Sequence, residues 1–235
     1  MTVSRETVAV VAAGHGLGDE SAAALHALLD ALSAEEDPPT TVSQPPEALD
    51  VHLADSLSGL AIEALAKARA VADVGAGAGF PGLALAAALP DASIDLIEAA
   101  ARKCAVIRRL GGAAGLPNFR AVAARAEEWA LGEGAGAYDV VTVRAVAPLG
   151  VLVEYAAPLL RERGALVAWT GKRDEEAERS AVAAADIVGL EPEEVRKVTP
   201  FSGARDRHLH VYRKVAPTPA RFPRRAGMAR KRPLS

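Results

Sequence analysis

Cysteine, aromatic side chains and long apolar runs are all scarce in this chain of 235 residues. Its single cysteine, Cys104, allows no internal disulfide and no cysteine-rich metal site, which is typical of a cytoplasmic protein. Nine aromatic residues are too few for a surface built mainly from base-stacking platforms. The longest uncharged stretch, Val74 to Pro90, is interrupted by glycine and proline, so the sequence predicts no membrane span.

Half of the residues are apolar, which indicates a globular chain with one sizeable domain. From residue 70 onward, apolar strands alternate with helical stretches, and this predicts an α/β fold with a mostly parallel sheet. Strands are expected near 70–74, 93–98, 119–124, 138–144 and 164–169. Helices are expected near 82–89, 101–113, 149–161 and 174–188. Two further strands, Glu194–Thr199 and His208–Lys214, are predicted to pair antiparallel at the end of the sheet.

A small helical region is predicted before the first strand. The segment Asp19–Ala34 carries leucines at the spacing of one helical face, which indicates an amphipathic helix. A proline-containing loop, 35–44, follows it. Two more helices are expected, from Pro46 to about Ser56 and over Ser58–Lys67.

A glycine-rich loop, Asp73–Gly82, follows the first predicted strand and precedes a strong helix former. This layout lets bare backbone approach a nucleotide-like ligand at a helix N-terminus. Glu98 ends the second predicted strand, 21 residues after Gly77, a spacing typical of a carboxylate that binds a ribose diol. The sequence therefore predicts a site for a nucleoside cofactor.

Two residues of this loop favour S-adenosylmethionine over NAD, although Gly77–Gly82 also fits the dinucleotide fingerprint. Asp73 is expected to face the ligand, where it would repel a pyrophosphate and attract an ammonium group. Pro81 lacks the backbone N–H that a pyrophosphate would use.

Polar residues or glycine follow each of the first four predicted strands, where ligands bind in open α/β sheets. Glu127, or the backbone at Ala126, is a candidate to bind an adenine edge. Glu127 is equally well explained as an acid at a helix N-terminus, and Glu128 competes for that role. Arg144 ends an apolar strand and is costly to bury unless it meets an anion.

The charge of the chain is unevenly distributed. Eight basic residues and no acid lie between Arg213 and Ser235, so a net charge of −3 leaves −11 on the remainder. A basic tail on an acidic body indicates contact with a polyanion, and the alternative is a solvated, disordered end.

Several segments occur in the order found in one family. They are His52–Leu57, Asp73–Gly82, Arg125–Glu128, Arg144–Leu149, Arg207–Leu209 and a tail, Pro223–Leu234, of the actinobacterial type. By these segments the chain resembles the bacterial 16S ribosomal RNA guanine-N7 methyltransferases, the small-subunit methyltransferase G type, also called glucose-inhibited division protein B.

The resemblance implies a Rossmann-like, class I S-adenosylmethionine-dependent methyltransferase with a seven-stranded sheet. The implied reaction is methylation of N7 of guanine 527. The expected division of the chain is a helical lead-in (1–57), a methyltransferase domain (58–215) and a basic tail (216–235). The implied partner is 16S ribosomal RNA within a 30S subunit or its precursor, bound by a monomer without a metal or a membrane. With the residues chosen above, the expected cofactor site comprises Asp73, Gly75, Gly77, Phe80, Glu98, Ala126, Glu127 and Arg144.

Guanine N7 bears no proton, so methyl transfer to it needs no general base, and alignment and electrostatics should suffice. Arg144 or Arg207 is expected to hold the neighbouring O6 acceptor, and both are candidate catalytic residues. His52 and Asp55 lie on one helical face and are interpreted as structural or positioning residues. Lys172 stands two positions beyond the place where the family carries a lysine.

Three other functions remain open at this point. An NAD-dependent oxidoreductase would need a hydride-transfer site, and a noncatalytic ribosome-assembly factor would bind RNA without consuming the cofactor. A small-molecule methyltransferase would leave the basic tail without a role.

Overall fold

A mixed β-sheet organises the part of the chain that the computed structural model describes, residues 3–144 and 147–234. Its strands are β1 (Ala70–Val74), β2 (Ser93–Glu98), β3 (Phe119–Ala123), β4 (Tyr138–Arg144), β5 (Leu160–Thr170), β6 (Leu190–Val198) and β7 (Arg207–Lys214). These described strands form one seven-stranded sheet in the order β3-β2-β1-β4-β5-β7-β6. Neighbours from β3 to β5 pair parallel, and β7 pairs antiparallel with both β5 and β6. The predicted α/β sheet is confirmed.

Two strands begin earlier than their sequence pattern indicated. β5 starts at Leu160 because a bulge beside Tyr138 lets the polar residues before Gly164 join the strand, with Arg163 at φ +63°. β6 starts at Leu190, and a register shift accommodates Pro192. Both additions are largely exposed, so they lack the apolar run by which strands are recognised.

Four short or medium helices precede the sheet: α1 (Arg5–Gly14), α2 (Asp19–Ala34), α3 (Asp55–Leu57) and α4 (Glu63–Ala66). A π-helical turn, Leu49–Ala54, leads into α3, and a 3₁₀ turn, Ser58–Ala61, leaves it. The helix expected over Ser58–Lys67 is therefore divided. At its start, Gly59 lies against the Trp169 ring, where an added Cβ would be 2.3 Å from a ring carbon.

The remaining helices cover the two faces of the sheet. They are α5 (Gly82–Ala88), α6 (Ala101–Ala113), α7 (Ala126–Trp129), α8 (Leu149–Ala156), α9 (Glu175–Val188) and α10 (Met228–Lys231). α8 ends at Ala156, five residues before the prediction, because Pro158 supplies no N–H and restricts the residue before it. α1, α7 and α10 were not predicted.

Two hydrophobic cores lie on opposite faces of the sheet. One packs α2, α5 and α6 against alternate residues such as Val71 and Ile94, and the other packs α8 and α9 against Ala72 and Val141. The leucine stripe of α2 is buried in the first core, as its spacing predicted. The helical lead-in thus shares a core with the sheet, so the proposed boundary at residue 57 does not separate two cores.

The basic tail packs on the second face of the sheet. Phe222 and Ala229 are buried in the α8–α9 core. Thr218 Oγ1 lies 3.1 Å from the carbonyl oxygens of both Ala157 and Val188, which share its single hydroxyl proton. The described part of this segment is therefore ordered against the body, unlike the solvated end considered above. None of the helices described is long and apolar enough to cross a membrane.

Candidate active site

The glycine loop between β1 and α5 exposes its backbone to a cleft. Gly75, Gly77 and Gly79 have φ of +71°, +58° and +101°, a region that L side chains rarely adopt. An added Cβ at Gly79 would lie 2.6 Å from the Leu83 side chain. At Gly77 the nearest such atom is the Gly75 carbonyl oxygen, 3.8 Å away. A side chain at Gly77 would therefore have room, but it would occupy space inside the cleft.

The cleft has a volume of about 540 Å³ and lies beyond the carboxyl ends of β1 to β4, within the range of small-molecule sites. Every expected cofactor residue except Asp73 lines it, namely Gly75, Gly77, Phe80, Glu98, Ala126, Glu127 and Arg144. Thr40, His52, Lys103, Tyr155 and Arg230 also line it. None of these five was predicted to bind the cofactor.

Glu98 faces the cleft from the end of β2 and also holds its rim. Its Oε2 accepts a hydrogen bond from Gly77 N–H at 3.1 Å, and its Oε1 accepts one from Ala100 N–H at 2.9 Å. Each carboxylate oxygen can accept a further bond. The side chain can therefore fix the loop and receive a ribose hydroxyl at the same time.

Asp73, which was expected to face the ligand, lies beneath the loop and is not among the residues that line the cleft. It is buried, and its two carboxylate oxygens accept bonds from Gly82 N–H (2.9 Å) and Thr142 Oγ1 (3.1 Å). Burial raises the pKa of Asp73 to about 6, against the opposing effect of the Gly82 hydrogen bond. Asp73 therefore links the start of α5 to β4.

Arg144 connects the end of β4 to the helical lead-in. Its Nη1 donates to Val51 O at 2.8 Å and to Asp55 Oδ2 at 3.0 Å, and its Nη2 lies 3.3 Å from His52 Nδ1. The expected anionic partner of Arg144 is thus Asp55, a residue of α3. The following residues, 145–146, lie outside the described chain.

His52 supports Arg144 and Phe80 from the π-helical turn. Its ring stacks on Phe80 with centroids 4.8 Å apart. Its Nε2 lies 2.7 Å from Val42 O and donates to it, which leaves Nδ1 as the acceptor facing Arg144. Burial, with a smaller effect of the Arg144 charge, lowers the pKa of His52 to about 4. The predicted positioning role therefore fits a neutral imidazole at physiological pH.

A second cavity, of about 570 Å³, lies on the other side of Arg144. Its lining includes Asp55, Pro148, Trp169 and Arg207. Asp55 Oδ1 is buried without a hydrogen-bond partner among the residues described, and the Arg207 Nε is 3.6 Å from it. The two candidate catalytic arginines thus meet at one carboxylate, and Arg144 separates the cleft at the glycine loop from this cavity.

The tail reaches the cleft at Glu127. Glu127 is buried, and its Oε1 accepts a hydrogen bond from Gly227 N–H at 2.7 Å. The capping interaction at the start of α7 belongs to Glu128, whose side chain accepts from the Arg125 backbone. This geometry favours the cleft-facing interpretation of Glu127 over the helix-terminus one. No group of possible metal ligands occurs among the residues described.

Comparisons with known proteins identify the family. A sequence model described as rRNA small subunit methyltransferase G matches residues 35–209. The ribosomal RNA small subunit methyltransferase G of Symbiobacterium thermophilum is 37% identical over 203 residues, covering 83% of this chain and 82% of that protein. The chain belongs to this family. Another member, from Pelotomaculum thermopropionicum, is 39% identical and covers 78% of this chain and 77% of that protein.

Solved structures of other proteins have a fold similar to that of this chain. A variant of the 16S rRNA (adenine(1408)-N(1))-methyltransferase of Catenulisporales acidiphilia has a TM-score of 0.52 at 18% identity, covering 67% of this chain and 90% of that one. The fibrillarin pre-rRNA processing protein of Methanococcus jannaschii has a TM-score of 0.54 at 17% identity, covering 69% and 74%. With the family assignment, these likenesses confirm the class I methyltransferase fold.

Proposed function

We propose that this protein methylates N7 of a guanine in 16S ribosomal RNA and takes the methyl group from S-adenosylmethionine. Membership of the methyltransferase G family supports the reaction class. The observation that carries the choice of base is the pair of groups in the second cavity, the Arg207 guanidinium and the Asp55 Oδ1, which is ion-paired with it at 3.6 Å but accepts no hydrogen bond from the residues described.

The residues of the cleft fit S-adenosylmethionine. Glu98 accepts the ribose hydroxyls, and the backbone of Gly75 and Gly77 leaves room for the amino-acid end. Phe80 supplies apolar surface, and the Ala126 N–H with the Glu127 carboxylate offers a donor and an acceptor to the adenine edge. When bound, the cofactor supplies an electrophilic methyl group, and Arg144 marks the end of the cleft that adjoins the second cavity.

The second cavity fits a guanine in polarity. Guanine O6 is an acceptor and its neighbour N1–H is a donor, whereas adenine places a donor and an acceptor at the corresponding positions. An arginine donor beside a carboxylate acceptor therefore matches guanine. Arg144 donates to Val51 and Asp55 at hydrogen-bond distance, whereas the half-buried Arg207 approaches Asp55 at 3.6 Å, so Arg207 is the stronger candidate to hold O6.

Holding O6 leaves N7 to face the methyl group, and no base is required because N7 carries no proton. Asp55 Oδ1 is buried with an ion-pair partner but without a hydrogen bond from the residues described, and a buried acceptor without a hydrogen bond is unfavourable, so the base N1–H would supply the donor. Catalysis in this scheme rests on alignment and electrostatics.

Exposed cations near the second cavity suit the RNA backbone. Lys172 follows Gly171, which lines the cavity, and Arg205 lies on the loop before β7. We propose 30S particles as the substrate and the cytoplasm as the location. The exposed large apolar side chains, such as Val10, Leu131 and Val195, belong to separate segments of the described chain, which supports a monomer.

The test is methylation of 16S RNA and of 30S particles from a strain lacking this gene, using radiolabelled S-adenosylmethionine and cleavage mapping of N7-methylguanine. We expect one modified guanine, at position 527 if the family resemblance extends to the site. Arg207→Ala should lower kcat/KM by about a hundredfold, as expected for a lost charged contact in the transition state, with cofactor affinity unchanged.

Arg205→Ala is the matched control, because it removes an exposed arginine two positions away. It should reduce RNA affinity only modestly. Equal effects of the two variants would place the base elsewhere, and methylation of adenine or of a different atom of guanine would refute the proposed reaction.

A further inference from the structure

The C-terminal segment Phe222–Lys231 is fixed beside the cofactor cleft by a buried ion pair. Arg224 donates twice to Glu154 of α8, with Nε–Oε1 at 2.6 Å and Nη2–Oε2 at 2.5 Å, and Glu154 is only 3% exposed. Removing one partner of such a pair is strongly destabilising. With Phe222 packed in the α8–α9 core, this arrangement gives the segment a defined position.

Two further contacts bring the same segment to the cleft itself. Gly227 N–H donates to Glu127 Oε1 at 2.7 Å, and Gly227 has φ +79°, a conformation that suits glycine. Arg230 lines the cleft together with Tyr155. Burial and the Glu127 carboxylate raise the pKa of Tyr155, whereas the Arg230 guanidinium opposes the rise, so these three side chains lie close together.

The order of strands indicates which end of the cofactor would lie beside Glu127 and Arg230. Along the sheet edge, the cleft runs from Ala126 after β3, past Glu98 on β2 and Gly75 on β1, to Arg144 on β4. The methyl group must be near Arg144, where the two cavities meet, and the ribose is at Glu98. The adenine therefore lies toward Ala126, beside the tail.

We propose that the C-terminal segment forms the outer wall of the adenine end of the cleft, with Arg230 contacting the base and Gly227 positioning the Glu127 carboxylate. This inference rests on the proposed use of the cleft for S-adenosylmethionine. A planar guanidinium suits the face or edge of a purine. The tail thus has a cofactor-binding role in addition to the polyanion contact predicted from its charge.

The test compares Arg230→Ala with Arg225→Ala by calorimetry. Both variants remove one exposed arginine from the same segment, but only Arg230 lines the cleft. The probes are S-adenosylhomocysteine and 5′-methylthioadenosine, which share the adenosine, whereas the second lacks the amino-acid end. Neither carries a net charge at neutral pH, so a general change in protein charge should affect them little.

We expect Arg230→Ala to weaken both ligands by the same factor, about tenfold, and Arg225→Ala to leave both affinities nearly unchanged. Equal affinities of the two variants would overturn this inference alone. A loss confined to S-adenosylhomocysteine would place Arg230 at the amino-acid end and would also overturn it. Failure of the wild-type protein to bind either ligand would instead refute the proposed function.

Discussion

Replacing Glu98 by glutamine tests the centre of the cofactor site with almost no change in shape. In the structure, Glu98 accepts hydrogen bonds from Gly77 N–H and Ala100 N–H, one on each oxygen. Glutamine offers one acceptor oxygen and turns its amide donors toward the other backbone N–H. The substitution therefore affects the loop and the proposed ribose contact together.

The expected magnitude follows from these contacts. A hydrogen bond to a charged group contributes about 1.5–3 kcal/mol, and an unsatisfied buried donor costs a comparable amount. We expect Glu98→Gln to lower the free energy of unfolding by about 1–3 kcal/mol. Loss of one charged bond to a ribose hydroxyl should weaken S-adenosylhomocysteine by at least about tenfold, because 1.4 kcal/mol corresponds to one decade in affinity.

The assay pairs urea denaturation without ligand with calorimetric titration of S-adenosylhomocysteine. Asp95→Asn is the matched control, since Asp95 is also buried on β2 and binds Arg120 and Tyr138 away from the cleft. It should lower stability while leaving affinity intact. If Glu98→Gln reduces stability to the same extent and affinity not at all, Glu98 is a structural acid and the assignment of the ribose is refuted.

The sheet and the glycine loop were predictable because their signals are local. Apolar runs such as Val140–Val143, glycines that permit positive φ at Gly77, and an acid at the end of β2 each follow from the chemistry of neighbouring residues. The carboxyl ends of parallel strands meet at one edge, so the topology alone brought Gly75, Glu98 and Arg144 to a common cleft.

The remaining site residues depend on contacts between distant segments. Arg144 required an anion, but nothing in the spacing identified Asp55, which lies 89 positions earlier. His52 joins the cleft only because the π-helical turn stacks it on Phe80. Asp73 was assigned to the ligand because it precedes the loop, whereas strand alternation directs its carboxylate to Thr142 and Gly82.

Two further predictions concern the lead-in and the tail. The pKa of His52 is lowered from 6.5 to about 4 in the folded protein. Between pH 6.5 and 4 the unfolded chain therefore binds a proton that the folded protein does not. The free energy of unfolding should fall by roughly 3 kcal/mol as the pH drops through this range. His52→Gln should remove this part of the pH dependence in urea denaturation, and a constant difference from wild type between pH 7 and 4 would contradict it. The second prediction concerns three exposed cations of the tail, Arg225, Lys231 and Arg232. Neutralising them should weaken 16S RNA binding and reduce the slope of log affinity against log salt by about 2–3, because each phosphate contact contributes about 0.7–0.9 to that slope. Within the described chain, these side chains, unlike Arg224 and Arg230, neither pair with the body nor line the cleft, so S-adenosylhomocysteine affinity should stay unchanged. A salt slope equal to that of the wild type would show that phosphate is bound elsewhere, with Lys172 and Arg205 the next residues to test.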